Sequence, residues 1–120
     1  IGKVENLLIN ATNISFDEVY DLVEKYGGVM IPAHVDKNSN SLMANLGFIP
    51  PDAKFTTAEV KDLKKLHELR KEHPYLEKCR IISDSDAHYL EHMNEPMHEL
   101  YVEERTREAV IKALKDSPTV

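Results

Sequence analysis

Short, mainly apolar runs alternate along this chain with segments that have the repeat of amphipathic helices. Residues 29–31 (VMI) lie between two glycines and a proline, and residues 79–82 (CRII) lie directly before the polar stretch SDSDAH. Runs this short fit strands buried on both faces better than they fit helices. The alternation therefore predicts an α/β fold with a largely parallel sheet, in which ligands bind beyond the carboxyl ends of the strands.

Helical patterns occupy three segments. In NISFDEVYDLVEKYGG, Ser15 and Glu18 have the spacing of a capping box, and two glycines end the pattern. The segment KFTTAEVKDLKKLHELRKEHP predicts a second helix, but local pattern leaves open whether residues 55–60 begin that helix or form a strand before it. Residues 100–102 predict a strand, and the apolar stripe in residues 109–114 predicts a final helix. Residues 36–54 have no regular period, which indicates either a functional loop or a surface connection.

The composition is typical of a globular protein and excludes some partners. Hydrophobic residues make up 42% and charged residues 30% of 120 positions, which predicts a single folded unit over residues 1–120. Acidic residues outnumber basic ones by 21 to 15, which argues against a surface that binds a nucleic-acid backbone. We expect no membrane helix, because no apolar run approaches about 20 residues. The lone Cys79 fits a cytoplasmic location, and its apolar neighbours predict a buried side chain rather than a nucleophile.

Titratable side chains follow two of the predicted strands. VMIPAHVD carries His34 and Asp36, and RIISDSDAH carries Asp84, Asp86 and His88. Residues two apart in an extended chain project to the same side, so the last three would share a face. Imidazole and carboxylate ligands suit Zn, Mn or Fe. One such cluster alone is more often a solvated turn, and two at the same kind of junction support a metal site and solvated turns about equally.

Other catalytic arrangements have less support in the sequence. His92 follows His88 by four residues and would face it only in a helix, whereas HMNEPM has the composition of a turn. Neither the nucleophile elbow G-x-S-x-G nor a glycine-rich phosphate loop is present. If the chain takes part in catalysis, the mechanism left is activation of water by a metal.

The segments GGVMIPAHVD and ISDSDAHYLEHM resemble the third and fourth motifs of the PHP family, the polymerase and histidinol phosphatase domain, and particularly its TrpH-like metal-dependent phosphoesterases. The resemblance implies part of a distorted seven-stranded β/α barrel, similar to a TIM barrel, with a strand within residues 55–60. It also implies two or three divalent metals, with His34, Asp86 and His88 among their ligands. Asp36 is expected to orient a ligand or line the pocket, and Asp84 and His92 are expected beside the ligands.

The family's first motif, an H-x-H, has no counterpart, because no two of the six histidines are two residues apart. The chain is therefore expected to be the carboxyl-terminal part of a PHP-like domain and to be inactive by itself, while the parent protein hydrolyses phosphoesters. The resemblance leaves a phosphorylated small molecule or a nucleic-acid end open as substrate. Such a part of a barrel would expose strand edges, through which the chain could pair with itself as a homo-oligomer. Two rival interpretations are a noncatalytic PHP-like binding or regulatory module and an amidohydrolase-like enzyme that cleaves C–N bonds.

Overall fold

The computed structural model describes residues 2–5 and 11–116. Residues 1, 6–10 and 117–120 of the predicted single unit lie outside this part. The described chain contains four α-helices and two strands, in the order α1 Phe16–Lys25, α2 Leu42–Leu46, β1 Thr57–Glu59, α3 Leu66–Glu72, β2 Arg80–Ile82 and α4 Arg107–Lys115. Short 3-10 helices occupy Leu63–Lys65, Pro74–Lys78 and Leu90–His92.

The two strands form a parallel pair. Their register runs from Thr57 opposite Arg80 to Glu59 opposite Ile82. The pairing extends one residue further, because the amide of Val60 donates to the carbonyl oxygen of Ile82 at 2.9 Å. Strand β2 confirms the strand predicted at residues 79–82, and β1 confirms the strand that the family resemblance implied within residues 55–60.

The prediction of part of a seven-stranded barrel is wrong. The sheet in the described residues has two strands, and residues 29–31 and 100–102, both predicted as strands, are not strands in the structure. An apolar run becomes a strand only when a neighbouring strand supplies hydrogen-bond partners along it. The fold is therefore a small α/β arrangement around one parallel pair.

A further segment lies along the other side of β1 without joining the sheet. The amide of Glu59 donates to the carbonyl of Pro32 at 3.0 Å, and the amide of Val35 donates to the carbonyl of Glu59 at 2.9 Å. In a regular parallel ladder, the residue that accepts from the amide of Glu59 and the residue that donates to its carbonyl would be two positions apart. Here they are Pro32 and Val35, three positions apart, so one extra residue interrupts the pairing. His34 occupies this interruption with a φ of 30°, in the left-handed region.

The core lies around Phe55, at the entry to β1. Phe55 is 1% exposed. Its ring packs edge-on against that of Phe16 of α1, with a centroid distance of 6.3 Å, and is tilted against that of Tyr75 at 4.9 Å. Leu76 and Cys79, at 0% and 1% exposed, are also buried in this core, and Cys79 confirms the predicted buried cysteine. The core thereby joins α1, β1 and the 3-10 helix Pro74–Lys78.

The carboxyl end of α4 is attached to the start of β1. The hydroxyl of Thr57 donates to the carbonyl of Leu114 at 2.5 Å, and that of Thr56 donates to the carbonyl of Lys115 at 2.6 Å. The last carbonyls of a helix have no partner within the helix, so these threonines satisfy groups that would otherwise need water. This attachment fixes the final helix beside the sheet.

Local signals account for the helix ends. The capping box of Ser15 and Glu18 is present at α1, and Gly27 follows the helix with a φ of 71°. Helix α2 lies in the region predicted to lack regular structure. It begins after Ser41, whose hydroxyl accepts from the amide of Ala44, and it ends at Gly47 with a φ of 74°. In the part of the chain that the structure describes, no helix is both long and apolar enough to span a membrane.

Candidate functional site

The two polar junctions predicted from the sequence lie on either side of β1. The Pro32–Val35 segment is hydrogen bonded along one side of β1, and β2 pairs along the other. Because all three run in the same direction, the residues that follow them emerge at the same edge. The structure joins the two junctions directly, through an ion pair of 2.8 Å between Lys37 Nζ and Asp86 Oδ2.

Asp86 is held by this contact and by an unusual backbone conformation. Its φ of 53° lies in the left-handed region, which few residues other than glycine, asparagine and aspartate adopt. The hydrogen bond from Lys37 lowers the pKa of the Asp86 carboxyl from its ordinary value, against a smaller opposing effect of desolvation. The positive charge of Lys37 lowers this pKa further, and His34 and His88 contribute smaller effects in the same direction.

Each of the two histidines is oriented by a backbone carbonyl. His34 Nε2 lies 2.7 Å from the carbonyl oxygen of Asn40, and His88 Nδ1 lies 2.9 Å from that of Asp86. A carbonyl oxygen can only accept, so these two nitrogens carry hydrogen. In the neutral rings the opposite nitrogens, His34 Nδ1 and His88 Nε2, keep their lone pairs. A carbonyl that holds one ring nitrogen and leaves the other free is the arrangement common to metal-binding histidines.

Asp36 contacts the main chain at the end of β1. Its two carboxylate oxygens accept from the amides of Lys61 and Asp62, at 2.8 and 2.9 Å. These bonds tie the segment that carries His34 to the residues that follow β1. The structure therefore gives Asp36 a positioning role for the His34 segment, and its predicted role towards a ligand stays a prediction.

Neither Asp84 nor His92 takes part in the Lys37–Asp86 contact. Asp84 is exposed and lines a groove of about 530 Å³ with residues that include Ser83 and Tyr101. His92 ends a 3-10 turn, and its ring packs edge-on against that of Tyr89 at 5.4 Å. The predicted shared face for residues 84, 86 and 88 does not form, because β2 ends at Ile82 and the backbone turns at Asp86.

Sequence reasoning missed Lys37. Its partner Asp86 is 49 residues away, and no local motif connects the two. The position of Lys37, three residues after His34, was a usable signal. A basic residue at one junction is a candidate to neutralise a carboxylate at the other. That signal becomes informative only once the two junctions are known to be neighbours.

The side chains of His34, Asp86 and His88 are of the types that bind a divalent cation, but their arrangement does not complete a binding site. Two imidazoles with free lone pairs and one carboxylate are suitable ligands for Zn, Mn or Fe. Lys37 already neutralises the carboxylate, however, and residues 2–5 and 11–116 contain no group of three or more His, Cys, Asp or Glu placed to hold a metal ion. The described side chains therefore do not form a complete metal site.

Comparisons with protein-family models, with curated proteins and with solved structures each found no match to this chain. The resemblance to PHP domains therefore rests on the two sequence motifs alone.

Proposed function

We propose that the chain forms part of a PHP-like, metal-dependent phosphoesterase and supplies His34, Asp86 and His88 to its metal site. The observation that carries this proposal is the contact of 2.8 Å between Lys37 and Asp86, which joins the two junctions that hold these residues, at the edge where the carboxyl ends of parallel segments meet. Open α/β sheets bind their ligands at this edge. The two motifs that resemble the PHP family contain these same three residues.

The residues of this chain prepare the site in defined ways. The carbonyl of Asn40 orients His34, and the carbonyl of Asp86 orients His88, so each ring presents its second nitrogen. Asp36 holds the His34 segment against the end of β1. A divalent metal bound here would supply Lewis-acid activation of water and of the phosphoryl oxygens. Three ligands are too few for a multi-metal site, so activity requires further ligands from the parent protein.

A noncatalytic module is the second candidate, and a specific contact favours it. The Lys37–Asp86 ion pair satisfies the carboxylate within the protein, as a structural ion pair does. If Asp86 stayed paired with Lys37, it would not be available to a metal, and the chain would serve in binding or regulation rather than in catalysis. The two candidates differ in whether Asp86 exchanges its lysine for a metal.

Hydrolysis by the parent protein tests this proposal. The assay compares p-nitrophenyl phosphate, bis-p-nitrophenyl phosphate and an N-acyl amide, each with added Mn²⁺ or Zn²⁺. We expect metal-dependent cleavage of a phosphoester, loss of that cleavage in Asp86→Asn, and its retention in the matched control Asp84→Asn. Cleavage of the amide alone would point to an amidohydrolase-like enzyme. Metal binding without any hydrolysis would favour the noncatalytic module.

A further inference from the structure

One edge of strand β2 has no partner in the part of the chain that the structure describes. In a parallel pair, alternate residues of a strand bond to the neighbouring strand, and in β2 these residues are Arg80 and Ile82. The amide and carbonyl of Ile81 therefore point away from β1. Within residues 2–5 and 11–116, no backbone group bonds to either of them. An unpaired edge of this kind is a template for another extended segment.

A groove of about 530 Å³ runs along this edge. Ile81, Ile82 and Ser83 all line it, although consecutive residues of a strand project to opposite faces. The groove therefore follows the edge of β2 rather than one of its faces. Its other wall is formed by residues 97–101, which have no regular secondary structure. An extended segment that lay in the groove would reach the free backbone groups of Ile81.

Large apolar side chains are exposed along this second wall. Met97 and Tyr101 line the groove, and Met93 lines a cleft of about 180 Å³ that shares Asp84 and Met97 with it. Each of the three apolar side chains belongs to a residue that is at least 64% exposed. Contiguous exposed apolar surface is typical of an interaction site, and methionine adapts its shape to a partner. We call the groove and the cleft together the edge groove.

The charged side chains of the edge groove define its partner. Three carboxylates line it, those of Asp84, Glu95 and Glu99, and no lysine or arginine does. None of the three forms an ion pair with a residue that the structure describes. Asp84 follows β2 and Glu99 belongs to the opposite wall, so negative charge lies on both sides of the groove. Complementary charge on a partner would therefore be positive.

We propose that the edge groove binds an extended, basic segment of a partner protein, which adds a strand beside β2. In this mode of recognition, main-chain hydrogen bonds hold the segment and its side chains select it. Here the hydrogen bonds go to Ile81, apolar side chains pack on Met97 and Tyr101, and lysine or arginine side chains meet the carboxylates. A second copy of the chain fits less well, because each copy has a formal net charge of -6. The inference does not rest on the proposed function.

Binding of synthetic peptides to the whole chain tests the proposal. The probe is a fluorescein-labelled heptapeptide of alternating lysine and valine, followed by fluorescence anisotropy. We expect saturable binding that weakens as salt is added, and no binding of a heptapeptide of alternating glutamate and valine. A lysine–valine peptide methylated on two adjacent central backbone nitrogens keeps its charge but loses a donor on each edge. It should bind about tenfold more weakly.

Variants of the chain separate the groove carboxylates from the overall charge. One variant combines Asp84→Asn, Glu95→Gln and Glu99→Gln. The matched control replaces three exposed carboxylates outside the groove by the same amides, at Asp52, Glu68 and Glu77. An exposed ion pair changes a binding constant by up to about fivefold, so the groove variant should bind the lysine–valine peptide about tenfold more weakly, and the control within about twofold of the unchanged chain.

Far-UV circular dichroism and urea titration establish that both variants are folded. If the groove variant is not, Glu95→Gln with Glu99→Gln repeats the measurement at two exposed positions. Amide hydrogen exchange locates the bound peptide. The amide of Ile81 should exchange more slowly when the peptide is bound, whereas that of Ile82, which faces β1, should not change.

Several results would overturn the inference. They are equal binding of the methylated peptide, equal binding by the groove variant and its control, and unchanged exchange at Ile81. Absence of binding at about 1 mM peptide, a concentration that half-fills even a weak site, would overturn it too. Slow exchange at Ile81 without any peptide would show an edge that is already paired. Size-exclusion chromatography would then assign that pairing to a second copy if the chain is a dimer, or to the chain itself if it is a monomer.

Discussion

Replacement of Asp36 by alanine should destabilise the junction that carries His34. The carboxylate accepts two backbone amides, those of Lys61 and Asp62, and so connects the chain after Pro32 with the chain after β1. Alanine leaves both amides without this partner. Asp36 is half-buried, so water replaces the carboxylate in part.

The expected cost follows from the two hydrogen bonds. A hydrogen bond to a charged group contributes about 1.5–3 kcal/mol, and solvent access at Lys61 reduces the contribution here to about 1 kcal/mol for each bond. Asp36→Ala should therefore lower the free energy of unfolding by about 2 kcal/mol. Asp36→Asn keeps one acceptor oxygen and should lose about 1 kcal/mol.

Urea denaturation followed by circular dichroism measures the loss, and amide hydrogen exchange locates it. Exchange should accelerate at Lys61 and Asp62, which lose their acceptor, and at Val35, whose amide bonds the carbonyl of Glu59. Asp84→Ala is the matched control, because it removes a carboxylate from an exposed position near the other junction. It should change the stability by less than about 0.5 kcal/mol.

The reasoning would be refuted by an Asp36→Ala variant that is as stable as Asp84→Ala. It would also be refuted by a loss of about 2 kcal/mol without faster exchange at Lys61 and Asp62, because the cost would then arise elsewhere. Equal losses in Asp36→Asn and Asp36→Ala would show that the charge, rather than the number of acceptors, stabilises this junction.

Two further predictions concern the core. Tyr75→Phe removes a hydroxyl that lies 2.6 Å from the carbonyl of Ala53 and 2.7 Å from that of Phe55. Urea denaturation should show that the free energy of unfolding falls by about 1–2 kcal/mol, and an unchanged midpoint would contradict these hydrogen bonds. Burial raises the pKa of Cys79 to about 11, so Ellman's reagent should react slowly with the folded chain at about pH 8 and rapidly in concentrated urea. The folded state favours the neutral thiol, because the pKa of Cys79 in the folded chain lies above the ordinary value of 9.0. The contribution of this thiol to the free energy of unfolding is therefore complete below pH 9 and is lost as the pH rises towards 11, which urea midpoints across this range would detect.

The helices show how much local sequence can specify. Ser15 and Glu18 predicted the start of α1 because a capping box involves residues three apart. The same kind of signal, Ser41 before α2 and Gly47 after it, was present in the predicted loop, but a helix of five residues is too short to show a periodic pattern. Capping interactions are local, and the sequence contains both of their partners.

Strands and the candidate site depend on partners elsewhere in the chain. Residues 29–31 and 79–82 are both short, mainly apolar runs, yet only the second contains a strand, because β1 supplies its hydrogen bonds in register. The sequence by itself determined the capped start of α1, the buried Cys79 and the positions of the polar junctions. Tertiary structure alone decided that two strands pair and that Lys37 meets Asp86 across 49 residues. The physical reason is that these contacts require segments distant in sequence to pack together, and no local pattern encodes that packing.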